Sequence, residues 1–201
     1  DRIEKFLEKP SWGEVFSDTI NTGIYMIEPE ILEYIPYGEN FDFAKDLFPT
    51  LMQNDIPLWG YSASGYWRDV GNPQSYREVY QDILKGDIVL PFKGERKEID
   101  KGIVYISDGV ELHEKIRVNG IVVLDENIKI SEGVTLTNVS IGKNCKIKKH
   151  AELTNSILWD NVTISSKAKI NNSVICNNNI IKEETKAPLG VIIAENCEIG
   201  K

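Results

Sequence analysis

The sequence is poor in cysteine and has no long apolar run. Its 201 residues include three cysteines, Cys145, Cys176 and Cys197. Because their number is odd and none lies close to another, they argue against a disulfide framework or a zinc site and favour reduced thiols in the cytoplasm. No stretch approaches the roughly 20 apolar residues that a membrane span needs. The charged opening at 1–5 has no apolar segment behind it, so we expect no signal peptide.

Basic residues are also scarce. Lys and Arg number 23 against 31 Asp and Glu, which gives a formal net charge of −8, and the densest basic spot is Lys148-Lys149. An acidic chain without a basic cluster is a poor candidate for binding nucleic acid or an anionic membrane, so we expect neither among its partners. The apolar share of 41% is that of an ordinary globular protein with one large domain or two small ones.

The second half of the chain contains a repeat with a step of 17 residues. One series of apolar-x-apolar pairs is Ile128/Ile130, Cys145/Ile147, Val162/Ile164 and Asn179/Ile181. A second series is Val134/Leu136, Ala151/Leu153, Ala168/Ile170 and Thr185/Ala187. A third consists of Ile141, Leu158, Ile175 and Ile192.

Three six-residue faces make an 18-residue triangular coil, and a step of 17 leaves one corner a residue short. Stacked coils bury a continuous core that no single coil could bury. Asn138, Asn155 and Asn172 fall at one corner, where Asn tolerates left-handed backbone angles. The pattern predicts a left-handed parallel β-helix over 102–201, with Cys145 and Cys197 as inward core residues. A generic antiparallel β domain, with irregular spacing, is the alternative.

The first half shows no repeat and alternates between strand and helix patterns. Strands are predicted over 3–7, 22–27, 58–62 and 66–70, and helices over 29–35, 46–54 and 73–86. The last helix is the clearest, because Asn72 caps it, Pro73 opens it and Gly86 closes it. This order predicts an α/β domain over 1–86, and four strands without an obvious start indicate an incomplete one. The charged segment 87–101 is predicted to be a linker.

Three segments of the first half carry candidate site residues. Glu8 and Lys9 end a strand before Pro10, where a Lys can hold a phosphate and a Glu can bind hydroxyls; a surface Glu-Lys-Pro is the alternative. Asn21, next to the turn residue Gly23, can read a hydroxyl, or the segment can be a plain turn. Asp69 precedes the helix entrance at 72–73 and can bind Mg²⁺, or it can brace the turn.

Together these segments resemble the sugar nucleotidyltransferase (NDP-sugar pyrophosphorylase) family. The motifs are Phe-Leu-Glu-Lys-Pro at 6–10, Asn-Thr-Gly-Ile-Tyr at 21–25 and Trp-Arg-Asp-Val-Gly at 67–71, followed by the repeats. The resemblance implies a Rossmann-like portion, a β-helix, and transfer of a nucleotidyl group from an NTP to a sugar 1-phosphate with release of pyrophosphate. It also implies that Lys9 and Asp69 are catalytic, that Lys9 binds the sugar phosphate, that Glu8, Asn21 and Gly23 contact the sugar, and that Asp69 ligates Mg²⁺.

The chain departs from that family because it has no Gly-rich nucleotide loop with its Arg and Lys, and no first metal Asp. We therefore expect the activity of a longer parent, with this chain inactive alone. Residues 8–17 look most like mannose-1-phosphate guanylyltransferase-type proteins, which favours mannose 1-phosphate and GTP. The string at 66–71 also looks like ADP-glucose pyrophosphorylases, which leaves a glucose-1-phosphate adenylyltransferase as an alternative.

Two other classes of function compete with this one. A hexapeptide acyltransferase needs a His as general base, and the candidates are His113 and His150. His150 falls at a corner equivalent to Gly133, Lys167 and Glu184, where we expect it to be solvated. The other class is a non-catalytic regulatory or assembly relative. The resemblance implies that the β-helix mediates oligomerisation, so we expect a homo-oligomer in either case.

Overall fold

The computed structural model describes residues 2–6, 11–13, 17–88 and 91–200. The chain divides into two compact units, Asp1–Gly65 and Tyr66–Lys201. The division falls before the helix that we had assigned to the first domain over 1–86. That helix therefore belongs to the same compact unit as the repeats, and the two units are described separately below.

The first unit is built around a small apolar core. Its elements are a 3-10 helix over Pro29–Tyr34, a π-helix over Phe43–Leu47 and helix α1 over Phe48–Gln53. Leu47, Phe48 and Leu51 are buried, and the rings of Phe6 and Tyr25 form T-shaped contacts with the Phe48 ring at centroid distances of 5.2 and 5.0 Å. The helices predicted over 29–35 and 46–54 are confirmed in position, with 3-10 and π geometry in place of α over part of their length.

The strands predicted in 3–7, 22–27, 58–62 and 66–70 do not form among the described residues. One isolated antiparallel bridge joins Arg2 to Trp59. A strand persists only beside neighbours that supply a ladder of hydrogen bonds, and within the described residues these segments share only that bridge and a hydrogen bond from the Ile3 amide to the Leu58 carbonyl at 2.8 Å. Their apolar side chains stay in solvent: Met26 and Tyr61 are almost completely exposed. These segments have the hydrophobic pattern of strands, but among the described residues they do not form a sheet.

Helix α2, over Pro73–Lys85, opens the structured part of the second unit. The Asn72 Oδ1 accepts a hydrogen bond from the Ser75 amide at 2.9 Å, and the Ser75 Oγ accepts one from the Asn72 amide at 3.3 Å. Gly86, with φ of 89°, ends the helix in a left-handed conformation. The predicted cap, first-position proline and terminal glycine are thus confirmed.

The rest of the second unit is a parallel β-helix preceded by one antiparallel strand. Its strands are β1 Glu95–Ile99, β2 Lys101–Ile106, β3 Glu111–Leu112, β4 Arg117–Leu124, β5 Lys129–Ile130, β6 Thr135–Ile141, β7 Lys146–Ile147, β8 Glu152–Thr154, β9 Ile157–Leu158, β10 Thr163–Ile164, β11 Lys169–Asn171, β12 Val174–Ile175, β13 Ile180–Ile181, β14 Ile192–Ile193 and β15 Glu198–Ile199. One sheet has the order β1-β2-β4-β6-β9-β12-β14, with β8 branching from β6 and β11 pairing with β8. The other has the order β15-β13-β10-β7-β5-β3.

Strand β1 lies within the segment 87–101 that we predicted to be a linker. It pairs antiparallel with β2 and so covers the first edge of the coil stack. Its charges pair along the strand, with Arg96 Nη2 3.1 Å from Glu98 Oε1 and Lys97 Nζ 2.9 Å from Glu95 Oε2. A charged edge strand resists pairing with other molecules, and the same charges made the segment resemble a linker.

The strand register confirms the step of 17 residues and corrects one series. Thr163 pairs with Lys146 on one side and Ile180 on the other. In the third series, however, Ile175 pairs with Ile193 and not with Ile192. Ile193 is 6% exposed and Ile192 44% exposed. The last coil therefore takes a step of 18, which two adjacent isoleucines hid from the sequence pattern.

Two asparagine rows form corners of the β-helix. Asn138, Asn155 and Asn172 have φ values of 49°, 47° and 51°, which confirms the predicted left-handed corner. A second row, which was not predicted, consists of Asn127, Asn144, Asn161, Asn178 and Asn196. From Asn144 onward each Nδ2 donates to the next Oδ1 at 3.0 to 3.2 Å. The spacing of these residues was the available signal.

Candidate functional site

The predicted site residues fall in both units. Asn21 and Gly23 lie in the first unit and Asp69 in the second, so the geometry of each is described within its own unit. Glu8 and Lys9 lie outside the described residues, and their roles in binding sugar hydroxyls and phosphate stay predictions.

Asn21 organises a tight turn and is joined to the aromatic core of the first unit. Its Oδ1 accepts a hydrogen bond from the Gly23 amide at 3.0 Å, and its Nδ2 donates to the Tyr25 hydroxyl at 2.7 Å. Gly23 has φ of 73°, which a side chain would strain. A carboxamide carries two N–H donors and two lone pairs, so Asn21 keeps a donor and an acceptor for a ligand hydroxyl.

Asp69 presents an exposed carboxylate just before α2. Among the described residues, no hydrogen bond or ion pair involves this carboxylate, and the cap of α2 is Asn72. Bracing by Asp69 is therefore not observed. A Cβ on Gly71 would lie 3.5 Å from Asp69 Oδ2, so glycine keeps that side of the carboxylate open.

Asp69 could bind Mg²⁺ only as a single protein ligand. The described ranges contain no group of three or more His, Cys, Asp or Glu side chains that could hold a metal ion. Mg²⁺ usually takes one or two carboxylates, keeps several waters and binds substrate phosphates. An exposed, unpaired carboxylate such as Asp69 suits that mode of binding.

Arg68, which was not among the predicted site residues, uses all three guanidinium nitrogens, two on carboxylates of α2 and one on Tyr66. Its Nη1 lies 2.7 Å from Glu78 Oε2 and its Nη2 3.0 Å from Asp82 Oδ2. Its Nε donates to the Tyr66 hydroxyl at 3.0 Å, and that hydroxyl donates to Asp82 Oδ2 at 2.7 Å. Desolvation, followed by the hydrogen bond to Asp82, raises the pKa of Tyr66 and keeps its phenol protonated. The signal in the sequence was two carboxylates four residues apart on a predicted helix.

The opposite side of α2 rests on the β-helix. Trp159 Nε1 donates to the Tyr76 hydroxyl at 3.3 Å, and Tyr80 and Ser140 line a groove at this contact. Burial raises the pKa of Tyr80. The groove has a volume of about 410 Å³, and Asp125 and Asp160 are among its lining residues. The helix that follows Asp69 is thus seated on the repeats.

The histidines of the β-helix do not form a general-base arrangement. The Nδ1 of His113 accepts a hydrogen bond from the Lys115 amide at 3.1 Å. His150 is exposed, has φ of 58°, and its ring lies against Gly133. Lys167 and Glu184 have the same left-handed conformation and are also exposed, which confirms the predicted solvated corner.

Two family models match the chain. Residues 101–201, just over half of it, match the model described as the EIF2B subunit epsilon LbH domain, and residues 1–86 match the model described as Nucleotidyl transferase. Over residues 1–86 the chain belongs to the nucleotidyl transferase family. Its β-helix is the LbH domain, which confirms the predicted fold class and the resemblance read from the three motifs.

Curated relatives of this nucleotidyl transferase chain act on different sugars and bases. A UTP–glucose-1-phosphate uridylyltransferase of Synechocystis sp. is 31% identical over 64% of this chain and 34% of its own length. A mannose-1-phosphate guanylyltransferase of Mycobacterium tuberculosis is 28% identical over 68% of this chain and 41% of its own length. A glucose-1-phosphate adenylyltransferase of Bacillus subtilis is 30% identical over 70% of this chain and 39% of its own length.

This nucleotidyl transferase chain spans about two fifths, or less, of the length of the curated relatives that it matches. Within the described ranges, no helix has both the length and the apolar character that crossing a membrane requires.

Proposed function

We propose that the protein containing this chain joins a sugar 1-phosphate to a nucleoside triphosphate and releases pyrophosphate. A phosphate oxygen of the sugar 1-phosphate attacks the α-phosphorus of the triphosphate, and the bond from that phosphorus to the β-phosphate oxygen breaks. The products are an NDP-sugar and pyrophosphate. The observation that carries this proposal is the match of residues 1–86 to the nucleotidyl transferase model, together with an unpaired Asp69 within the motif at 67–71.

The residues of this chain would serve the sugar-phosphate side of the reaction. Lys9 would hold the phosphate of the sugar 1-phosphate as a point charge, and Glu8 would accept hydrogen bonds from sugar hydroxyls. Asn21 has a free donor and acceptor for the same purpose, and Gly23 lets the ligand approach the backbone. Asp69 would hold Mg²⁺, which neutralises phosphate charge when bound. In-line displacement depends mostly on such positioning and charge neutralisation.

Mannose 1-phosphate and GTP are the substrates that we favour. Residues 8–17 support them, as does the likeness to a mannose-1-phosphate guanylyltransferase. Glucose 1-phosphate with ATP is the alternative, supported by the adenylyltransferase relative. We further propose that the protein works in the cytoplasm as a homo-oligomer joined through its β-helix, whose flat faces suit contact between copies.

A regulatory or assembly role is the second candidate function. It is favoured by the match of residues 101–201 to a model named for a subunit. In that case the protein would bind a sugar phosphate without turning it over. The two candidates differ in one observable, the release of pyrophosphate.

The test is an assay on the protein as its own cell makes it, after measurement of its intact mass and N-terminal sequence. Pyrophosphate release is followed with mannose or glucose 1-phosphate and each of GTP, ATP and UTP. We expect Asp69→Asn to lower turnover by about a hundredfold or more, because a transition-state charge loses its partner. Asp87→Asn, which changes an exposed carboxylate beyond α2, is the matched control. Full activity of Asp69→Asn would contradict the assignment, and binding without pyrophosphate release would favour the regulatory role.

A further inference from the structure

We infer that Arg68 is a positioning residue that holds Asp69 in place by fixing the segment 66–72 to helix α2. This inference rests on the proposed function, in which Asp69 holds Mg²⁺. Arg68 is the neighbour of Asp69 in sequence, and its guanidinium points to the helix through Glu78 and Asp82.

The contacts of Arg68 use the fork geometry of a guanidinium. Glu78 and Asp82 stand four residues apart on one face of α2, so their like charges would repel each other without a cation between them. Arg68 reaches both carboxylates, and its Nε reaches the Tyr66 hydroxyl. A lysine ammonium, as a single point on a flexible stem, cannot replace this set of three contacts.

We call the contacts of Arg68 with Glu78, Asp82 and Tyr66 the clamp. Their environment makes the clamp stronger than an ordinary surface ion pair. Exposed ion pairs contribute little, since water screens them and two long side chains lose entropy. The side chain of Asp82 is only 13% exposed, and it receives both the Arg68 Nη2 and the Tyr66 hydroxyl. Gln74 Nε2 also donates to Glu78 Oε1 at 2.9 Å, which steadies the second carboxylate.

The segment around Asp69 has no apolar anchor of comparable strength. Trp67 and Val70 are about half exposed. On the other side of Asp69, Asn72 is fixed to α2 by its capping hydrogen bonds. Asp69 and the two residues after it thus bridge two points that are both attached to one helix. Since α2 rests on the β-helix through Tyr76, the clamp ties Asp69 to the rigid part of the second unit.

Charge and positioning predict opposite effects when Arg68 is removed. A cation next to a metal ligand repels Mg²⁺, so loss of the charge alone would lower the Mg²⁺ concentration that the enzyme needs. Loss of positioning would raise it, because residues that orient a metal ligand typically contribute 10- to 100-fold to metal affinity. The direction of the change therefore separates the two roles.

The experiment compares Arg68→Met, Arg68→Lys and the matched control Arg77→Met. Arg77 lies on the same helix, and no ion pair of Arg77 is found in the described part of the chain. The first readout is the Mg²⁺ concentration for half-maximal pyrophosphate release by the protein as its own cell makes it. The second is amide hydrogen exchange of 67–71 in the 201-residue chain, which does not require activity.

We expect Arg68→Met to raise the half-maximal Mg²⁺ concentration about tenfold, with partial recovery of turnover at high Mg²⁺. It should also speed exchange at 67–71, while Arg68→Lys gives no full rescue and Arg77→Met changes neither readout. If Arg68→Met does not fold, Glu78→Gln removes one arm of the clamp and should shift both readouts in the same direction.

An unchanged or lower Mg²⁺ requirement in Arg68→Met, with Asp69→Asn inactive, would overturn the inference and leave the proposed function standing. Full activity of Asp69→Asn would overturn both, because Asp69 would then have no metal to hold.

Discussion

The β-helix and the first 65 residues treat apolar side chains in opposite ways. In the β-helix the inward rows are buried by the same rows one coil above and below, as at Leu136, Leu153 and Ile170. In the first unit Trp12, Met26 and Tyr37 are almost completely exposed. A repeat finds its neighbours within its own segment, whereas the strands of an α/β domain take theirs from distant parts of the chain. The local sequence therefore supplies the neighbours that the β-helix needs, but not those that the first unit needs.

The largest effect should come from a cavity in the β-helix core. Leu153→Ala removes a fully buried side chain and should lower the free energy of unfolding by about 3 kcal/mol. Leu51→Ala, in the small core of the first unit, should loosen that unit and leave the unfolding of the β-helix unchanged. Urea unfolding, followed by circular dichroism for the β-helix and by tryptophan fluorescence, measures both.

Leu189→Ala, at an exposed position, is the control for this comparison and should change stability by less than about 0.5 kcal/mol. If Leu51→Ala destabilised the β-helix as much as Leu153→Ala does, the two regions would unfold as one, and the distinction between them would be lost.

The next effect concerns a polar residue in an inward row. Asn179 is fully buried; its Nδ2 donates to the carbonyls of Cys176 and Ala194 at 2.9 and 2.8 Å, and its Oδ1 accepts from the Cys197 amide at 2.7 Å. Asn179→Ala leaves these three backbone groups without their partner and should cost about 2 kcal/mol, measured by urea unfolding. Asn178→Gly, which removes an exposed ladder amide, should cost much less. Equal costs would show that the buried hydrogen bonds are not the cause.

A smaller effect should appear at alkaline pH. Burial raises the pKa of the Cys145 thiol from 9.0 to about 12. Between these values the unfolded chain loses the proton and the folded chain keeps it, so stability falls as pH rises, by about 1 kcal/mol per pH unit from this group. Cys145→Ala should make the decline between pH 9 and 11 less steep.

Thiol-reagent labelling at pH 8 should modify Cys176 and Cys197 before Cys145, and rapid labelling of Cys145 in the folded protein would contradict its role in the core.

The smallest effect is an ion pair on the β-helix surface. Lys115 and Lys149 lower the pKa of Glu132 below its ordinary value of 4.5. A lowered pKa contributes stability above the unfolded value, and this contribution is lost as pH falls through the folded value. Glu132→Gln should therefore flatten the loss of stability below pH 4.5. Glu183→Gln, the exposed control, should follow the wild-type curve. Identical acid curves for both variants would contradict it.

The sequence carried most of the β-helix because its information is local and repeated. The step of 17 placed Cys145, Val162 and Asn179 on one inward row, and the structure confirms it. The step of 17 failed at Ile192, because one inserted residue moves the inward position from Ile192 to Ile193. No hydrophobic pattern distinguishes two adjacent identical residues, so only the strand register decided between them.

The candidate site was less predictable. Asn21, Gly23 and Asp69 were selected because they lie in motifs that resemble the sugar nucleotidyltransferase family, and their roles stay predictions. Arg68 and Trp159 were missed because their partners, Asp82 and Tyr76, lie on a helix whose packing depends on three-dimensional contacts. The periodicity of the sequence shows which face of α2 is apolar. It does not show which polar side chains will contact the helix.

Amide hydrogen exchange on the 201-residue chain, with and without mannose 1-phosphate and Mg²⁺, tests the difference between the regions most directly. We predict slow exchange across 128–193 under both conditions, because every coil there is buried between neighbours. We predict exchange at 21–27 and 67–71 that is faster than in the β-helix and that slows when the sugar phosphate and Mg²⁺ are present. Exchange in the β-helix as fast as in the first unit, or no effect of the ligands at 21–27 and 67–71, would contradict this account.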